Sequence, residues 1–399
     1  MRVEKRLSSS TFHPRAHKRS NVNKIDLFSF HYDQEVVSSP LVLTPALTHS
    51  ISSIQRLVLR QKHDVASVES VIKSLQRSLS KYNSQIKLTT YGSYASNLWT
   101  CVSDIDLSIS LSSNSQKPVN RGLFFLERLS YFLRPLFHDV TLIPSRVCPI
   151  IKLSDPASHI NIDLSVDSTS GITAAQFIKT FLSISSDAII FIKLIKYWGK
   201  VRQLIDSVNG GFTSFAMVLI CIKYLQSLIP AVLPSLDEVF SGRNIAKEIK
   251  SPRFQAQCKQ LRKENRSHYS ISELVGQFFL YLKHFNFSKR SVCLFNNTSF
   301  SQSLKILKLN QSKFKPLVIV HDPLDLKNNA ARALSKQGFS LFKSEVERSV
   351  AICSGIRDED LFCLSDKPLT SSRFSDSIGF LEEFSDSDSD CDIRFNIRK

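Results

Sequence analysis

The residues best suited to chemistry lie in the segment YGSYASNLWTCVSDIDLSISL, residues 91–111. From Asp104 onward it alternates strictly, as a strand does. Asp104, Asp106, Ser108 and Ser110 fall on one face, and Ile105, Leu107, Ile109 and Leu111 on the other. Aspartate is disfavoured in strands and like charges side by side repel, so something positive is expected between the two acids. HINIDLSV at 159–166 repeats the device, with Asn161, Asp163 and Ser165 opposite Ile160, Ile162, Leu164 and Val166. Three strand carboxylates facing one point suit hard divalent cations, which take oxygen ligands. Two such ions ~3.5–4 Å apart activate an attacking hydroxyl and stabilise a leaving oxygen in phosphoryl transfer. An exposed strand face with solvated acids is the rival reading. It would win for Asp163 alone, and is the weaker one for Asp104 and Asp106 behind Gly92-Ser93. A glycine backbone approaches a phosphate closely, and neighbouring N–H groups and the Ser93 hydroxyl can donate to it.

Three further segments carry polar groups at telling positions. In KYWGKVRQLID, Lys196 and Lys200 are four residues apart and share a helix face, while Ile189, Ile192, Ile195 and Val201 supply an apolar stripe. Gly210-Gly211-Phe212-Thr213-Ser214-Phe215 reads as a turn before a long helix. His321-Asp322-Pro323-Leu324-Asp325-Leu326-Lys327-Asn328-Asn329 packs acids and amides around a proline. A solvated lysine face and a core phenylalanine are the plain alternatives for the first two.

The elements that must position these groups follow from periodicity. Residues 45–80 read helical, 86–111 have strand spacing, 112–120 form a loop and 121–138 a helix. Strands are expected near 140–143, 148–153 and 159–166. After Gly171 the pattern is helical at 174–183, 187–206, 212–229, 272–284 and 329–350. Residues 241–270 are the longest polar interruption, with eight Lys/Arg against two acids. A mixed α/β segment is thus followed by a largely helical one.

With 399 residues the chain has room for two or three domains. Its formal net charge is +17, of which residues 1–24 hold +6 and residues 354–399 hold −5, leaving +16 for 25–353. A basic body points to a polyanionic partner, nucleic acid before membrane, since no basic amphipathic helix of the membrane-surface kind stands out. The eight cysteines form no C-x-x-C pair, which argues against a disulfide framework or a zinc ribbon. The most apolar stretch, Phe215 to Leu233, is interrupted by Lys223 and Gln226 and is too short to span a bilayer. Both ends read as flexible, and Ser385, Ser387 and Ser389 between aspartates are candidate phosphorylation sites.

The order G-S, about eleven residues, D-I-D-L, then a later strand Asp resembles the polymerase beta-like nucleotidyltransferase superfamily. KYWGKVRQLID, GGFTSFAMVLICIKYLQ and VIVHDPLDLKNNAAR narrow the resemblance to the noncanonical poly(A) polymerases and terminal uridylyltransferases, over roughly residues 45–350. The resemblance implies an α+β fold, a nucleotidyltransferase palm with a mixed sheet plus a helical PAP-associated central domain. The expected division is a basic arm 1–44, a catalytic domain 45–171 and a central domain 172–350 with a basic insertion at 241–270. An acidic tail, 351–399, completes it. The first helix of the catalytic domain is a candidate to pack on the central domain.

By the same resemblance Asp104, Asp106 and Asp163 are the catalytic, metal-holding acids for two Mg²⁺ ions, with Mn²⁺ as a substitute. Gly92, Ser93, Lys196 and Lys200 face the triphosphate. Ser214 and Phe215 sit where the family has Ser-Tyr, with the aromatic ring stacking on the base. Asp322, Asp325 and Asn328 line the base pocket. Uridylyltransferases commonly carry His where Asn328 stands, which tilts the expectation to ATP over UTP. Ala174-Ala175 replaces an Asn-Thr pair near the ribose and removes two hydrogen-bonding side chains. The implied activity is template-independent addition of AMP to a single-stranded RNA 3′ end. The alternatives are a uridylyltransferase and an inactive RNA-binding subunit. A partner protein is expected to help choose the RNA, no membrane partner is expected, and the location is nuclear or cytoplasmic with the mitochondrion kept as an alternative.

Overall fold

The computed structural model describes residues 43–363, apart from 60–61, 111–120, 146–147, 241–244, 266–268, 296–297 and 310–314. Residues 1–42 of the basic arm, residues 364–399 of the acidic tail with their serines, and the 112–120 loop lie outside the described residues, whereas residues 351–353 of the expected tail end the last helix and Leu361 and Phe362 are buried.

The helical stretch expected over 45–80 is two helices, α1 (Pro45–Leu59) and α2 (Lys62–Tyr82). They diverge because their apolar stripes serve different cores. Leu47, Ile51, Ile54 and Val58 of α1 are buried in the helical core, whereas Val68, Val71, Leu75 and Leu79 of α2 pack on a sheet. The single run of strand spacing over 86–111 is also divided. β1 (Lys87–Thr90) and β2 (Ile105–Ser110) are separated by a one-turn helix, α3 (Gly92–Ala95), and a turn. Then come α4 (Arg121–Leu133), β3 (His138–Ile143), β4 (Ile150–Ser154) and β5 (Asn161–Val166).

The five strands form one mixed sheet in the order β1-β2-β5-β4-β3, in which only β2 and β5 are parallel. Ile105, Leu107, Ile109, Ile151, Leu153, Ile162 and Leu164 are buried on one face beneath α2 and α4. Strand alternation sends Asp106 and Asp163 to the opposite face.

The remainder is mainly helical: α5 (Thr169–Leu182), α6 (Ser186–Val201), α7 (Ser214–Ser227), α8 (Leu236–Val239), α9 (Ile245–Glu248), α10 (Pro252–Glu264), α11 (Ile271–His284) and α12 (Phe300–Ile306). A small hairpin, β6 (His321–Asp322) with β7 (Asp325–Asn329), precedes α13 (Lys336–Cys353). The polar interruption at 241–270 thus contains an amphipathic helix, α10, which buries Phe254 and Cys258 and exposes its basic residues. The helix expected from 329 starts seven residues later. Asn329 is held in the hairpin instead, its Oδ1 accepting from the Val320 and Ala331 amides and its Nδ2 donating to the Val318 carbonyl.

Trp198, Phe212 and Phe278 are among the largest side chains fully buried in the helical core. That core is tied at one end by Arg202, whose guanidinium donates twice to Glu345 of α13, both at 2.8 Å. Among the described residues, none of the seven cysteines is in a disulfide and no helix is long and apolar enough to cross a membrane.

Candidate functional site

β2 and β5 run parallel with Asp106 opposite Asp163 in the ladder. Because side chains at paired positions share a face, two carboxylates are set side by side by the register alone. Asp104 lies just before β2. β4 adds the positive group that the sequence demanded without naming it: Lys152 is the cross-strand partner of Asp163. Its Nζ donates to Asp163 Oδ1 and Oδ2 at 2.6 and 2.8 Å and to Asp104 Oδ2 at 3.5 Å. A lysine set between Ile151 and Leu153, the two buried apolar residues of a short strand, was the signal that could have revealed it.

Charge crowding shows in the protonation of these groups. Burial, followed by the Asp163 and Asp104 charges, pushes Asp106 up to about 7, against a smaller pull from Lys196 and the Ser93 amide. Asp163 is raised by burial and by Asp104, with Lys152 and Lys200 opposing. For Lys152, burial is outweighed by the two acids and the ammonium is held above its ordinary range.

Gly92 explains how α3 comes so near. It has φ +63°, and a β-carbon there would overlap the Asp106 carboxylate. Only glycine satisfies both conditions. The close approach brings the Ser93 amide to Asp106 as a hydrogen-bond donor. Tyr91, which the sequence reading passed over, fixes this turn from behind. Its amide donates to the Asp106 carbonyl at 3.0 Å, its hydroxyl accepts from Ser165 Oγ at 3.1 Å, and its ring fills the space where Gly171 lacks a β-carbon.

The two lysines of α6 part company. Lys196 is 3 % exposed, and its Nζ donates to the Leu98 carbonyl at 2.8 Å. Burial, then the neighbouring Lys200 charge, lowers it to about 7, with Asp106 opposing. The expectation that both stand open to a triphosphate is therefore corrected for Lys196. α6 is buried around nearly its whole circumference, so its four-residue spacing gave a shared direction and no shared solvent face. Lys200 is partly exposed and stands close enough to Asp163 to stabilise its charge.

Ser214 and Phe215 begin α7 beside the hairpin. Thr213 caps the helix, accepting from the Ala216 amide at 3.0 Å and donating to the Ala330 carbonyl at 3.0 Å. Gly338 packs against the Gly210 backbone so tightly that a side chain there would meet it. Phe215 is half-buried at the margin of the helical core. Within the hairpin, Asp322 Oδ2 accepts from Asn328 Nδ2 at 3.1 Å and Oδ1 accepts from the Leu324 amide at 2.9 Å. Asp325 is exposed and accepts from the Lys327 amide at 3.0 Å, so it closes its own turn. His321 is buried against the Leu326 carbonyl and Ser303 Oγ, a structural role. The expected residues thus form two groups, the carboxylates with the lysines and the α7 start with the hairpin. Ala175 is buried on α5, between Asp163 and Lys196 in sequence.

The donor set suits a divalent cation in charge and atom type, since a lysine ammonium already bridges Asp163 and Asp104. Among the described residues, no three His, Cys, Asp or Glu side chains form a ready cage for a metal ion.

Comparison with known proteins agrees with this architecture. The family described as "Poly(A) RNA polymerase, mitochondrial-like, central palm domain" matches residues 47–183. Protein HESO1 of Arabidopsis thaliana is 27% identical over 291 residues, covering 66% of this chain and 56% of the relative. Poly(A) RNA polymerase GLD2-A of Xenopus laevis is 24% identical, covering 84% of this chain and 64% of the relative. A structure of the Cid1 poly(U) polymerase with Mg and 3′-dATP bound superposes with a TM-score of 0.60 at 16% identity, over 77% of this chain and 93% of that one. Over these residues the chain is similar to the noncanonical poly(A) polymerases and terminal uridylyltransferases. It has the polymerase beta-like α+β fold of these nucleotidyltransferases. The chain spans between a little over half and just under two thirds of the two curated relatives. The palm match runs from α1 to α5 and includes all three aspartates.

Proposed function

We propose that this chain is a template-independent RNA 3′-terminal nucleotidyltransferase that adds AMP units from ATP. The observation that carries the reading is the in-register pair Asp106–Asp163 on parallel strands, with Asp104 and Lys152 beside it. In this reading Asp104 and Asp106 hold two Mg²⁺ ions, with Mn²⁺ able to replace them, and Asp163 completes the site nearer the RNA 3′ hydroxyl. When bound, the ions supply positive charge for the attacking oxygen and the leaving pyrophosphate. The 3′ hydroxyl gives its proton to solvent, its oxygen forms a bond to the α-phosphorus, the bond from that phosphorus to the oxygen bridging to the β-phosphate breaks, and pyrophosphate leaves.

Gly92 and Ser93 then present backbone and hydroxyl donors to phosphate, and Lys200 supplies countercharge from α6. Lys196, being buried, acts from behind by fixing the Leu98 turn and lowering the cost of a charged Asp106. Phe215 offers a ring face to the base, with Ser214 next to it. Asp322 and Asn328, already joined by a hydrogen bond, face the base edge. Asp325 shapes their turn. Asn328 in place of a histidine favours adenine over uracil. The loss of polar groups at Ala174-Ala175 weakens ribose contacts without touching the acids.

The test is primer extension by the full-length protein on a single-stranded RNA with Mg²⁺ and each nucleoside triphosphate separately. Extension by ATP is expected. Preference for UTP would transfer the chain to the uridylyltransferases. No extension with any nucleotide, with or without an added RNA-binding protein, would leave it an RNA-binding subunit.

A further inference from the structure

α4 keeps one face on the sheet and presents a patterned face to solvent. Leu126, Leu129 and Leu133 are fully buried where α4 packs on β3, β4 and β5. On the other side Phe124, Arg128 and Tyr131 follow each other at four and three residues, a single stripe along the helix. Phe124 is 64% and Tyr131 60% exposed. Large aromatic rings left this open are unusual, since most other rings among the described residues are buried or half-buried. Arg134, one turn further on, lays its guanidinium over the Tyr131 ring, 4.6 Å from its centroid. One face of that ring is therefore occupied and the other free. Beside the stripe, where α2 ends against α4, an open groove of about 740 Å³ is lined by Lys81, Tyr82, Asn83, Phe125 and Arg128 among others. Lys81 and Arg77 stand one turn apart on the exposed side of α2. Glu127 is the acid on the exposed side of α4.

We propose that this outer side of α4, with the adjoining groove, is a second contact site for single-stranded RNA, remote from the carboxylates. The inference rests on the RNA-tailing reading above and adds where the body of the primer is held. Rings alternating with guanidinium groups are what a flexible polyanion with stackable bases requires, since bases stack on rings while phosphates meet cations. A protein partner would be better served by contiguous apolar surface, and here each exposed ring is followed by an arginine. The spacing also fits: seven helical residues separate the rings, a rise of about 10.5 Å, comparable to about three stacked nucleotides. Because α4 covers the apolar face of the sheet, its exposed side is separated from Asp106 and Asp163 by the sheet and the helix itself, about 20 Å. Only an RNA long enough to pass round the sheet reaches both places.

Primer length therefore supplies the test. The full-length double variant Phe124→Ser/Tyr131→Ser and the charge-reversed Arg128→Glu/Arg134→Glu are compared with the wild type on oligoadenylate primers of about five and about twenty nucleotides. Affinity is read by fluorescence anisotropy, and extension by kcat/KM. Both variants should bind the longer primer about tenfold more weakly and handle the shorter one as the wild type does. The charge-reversed variant should also show a shallower salt dependence on the longer primer alone. Unchanged affinity for the longer primer overturns the proposal, including the case in which the variants lose a protein partner instead. Equal loss on both primers overturns it too, because the defect then lies in the cleft or the fold. Failure of the wild type to extend any primer refutes the tailing reading, and the anisotropy comparison still decides whether α4 holds RNA.

Discussion

At the carboxylate centre, three acids share one sheet face and are partly neutralised by Lys152 and, less directly, by Lys196 and Lys200. In the hairpin, by contrast, Asp322 accepts an amide and an Asn328 side chain, and Asn329 satisfies three backbone groups. The first region stores uncompensated charge; the second is closed by hydrogen bonds among its own residues. Burying like charges together raises the free energy of the folded chain unless a cation arrives, whereas a satisfied hydrogen-bond network is stable alone. The difference separates a place built to receive positive charge from a place built to hold a shape.

Substitutions at the centre should have the largest consequences. Asp106→Asn is expected to lower RNA extension by about 10³-fold or more while leaving the protein folded, because the amide fits the same space and the buried charge is gone. Primer extension together with thermal unfolding checks both halves. Retained activity would remove the centre from the chemistry. Gly92→Ala should cost about 10²-fold in kcat and lower stability by about 2 kcal/mol, since a side chain must displace the Asp106 carboxylate and adopt a left-handed backbone. Normal activity in that variant would mean α3 need not stay so close. Lys152→Met leaves Asp163 and Asp104 facing each other, and should reduce stability by about 1–3 kcal/mol in a denaturant titration. An unchanged midpoint would show that the two acids are relieved in another way.

In the hairpin the expected effects are smaller and concern choice. Asn328→His removes the bond from Asn328 to Asp322 and should lower the ratio of kcat/KM for ATP to that for UTP by about tenfold. An unmoved ratio would place base selection elsewhere. A last effect is a pH slope. Asp106 is raised to about 7 in the folded chain, so between about pH 4 and 7 the folded chain keeps a proton that the unfolded chain has lost. Stability must therefore fall as pH rises through that window. Lys196, lowered to about 7, acts with the opposite sign above it, because there the unfolded chain holds the extra proton. Melting curves of wild type and Asp106→Asn over pH 4–7 should converge toward the acid end and separate toward neutrality. Parallel curves would contradict the charge crowding.

Much of this centre was legible because strand alternation is local. Ile105, Leu107 and Ile109 had to face away from Asp106, and Ile162 and Leu164 away from Asp163, whatever the rest of the chain did. The need for a positive group followed from the same alternation, but its identity did not, because Lys152 meets Asp163 across a strand pairing. Lys196 misled for a related reason. Helical spacing gives direction around an axis, and the burial of that direction depends on what packs there, in this case the Leu98 turn. The hairpin escaped notice because strands of two and five residues carry little periodic signal. Asn329 builds it through bonds to residues before β6 that no local pattern announces.

The order of residues by itself determined which side chains share a face and that the body is basic, since these depend on strand and helix geometry and on formal charge. Tertiary structure alone decided which lysine neutralises the acids, which is sealed from water, where glycine was indispensable and which rings stay exposed. Each of those depends on segments far apart in the chain meeting in space, where burial and Coulomb forces act.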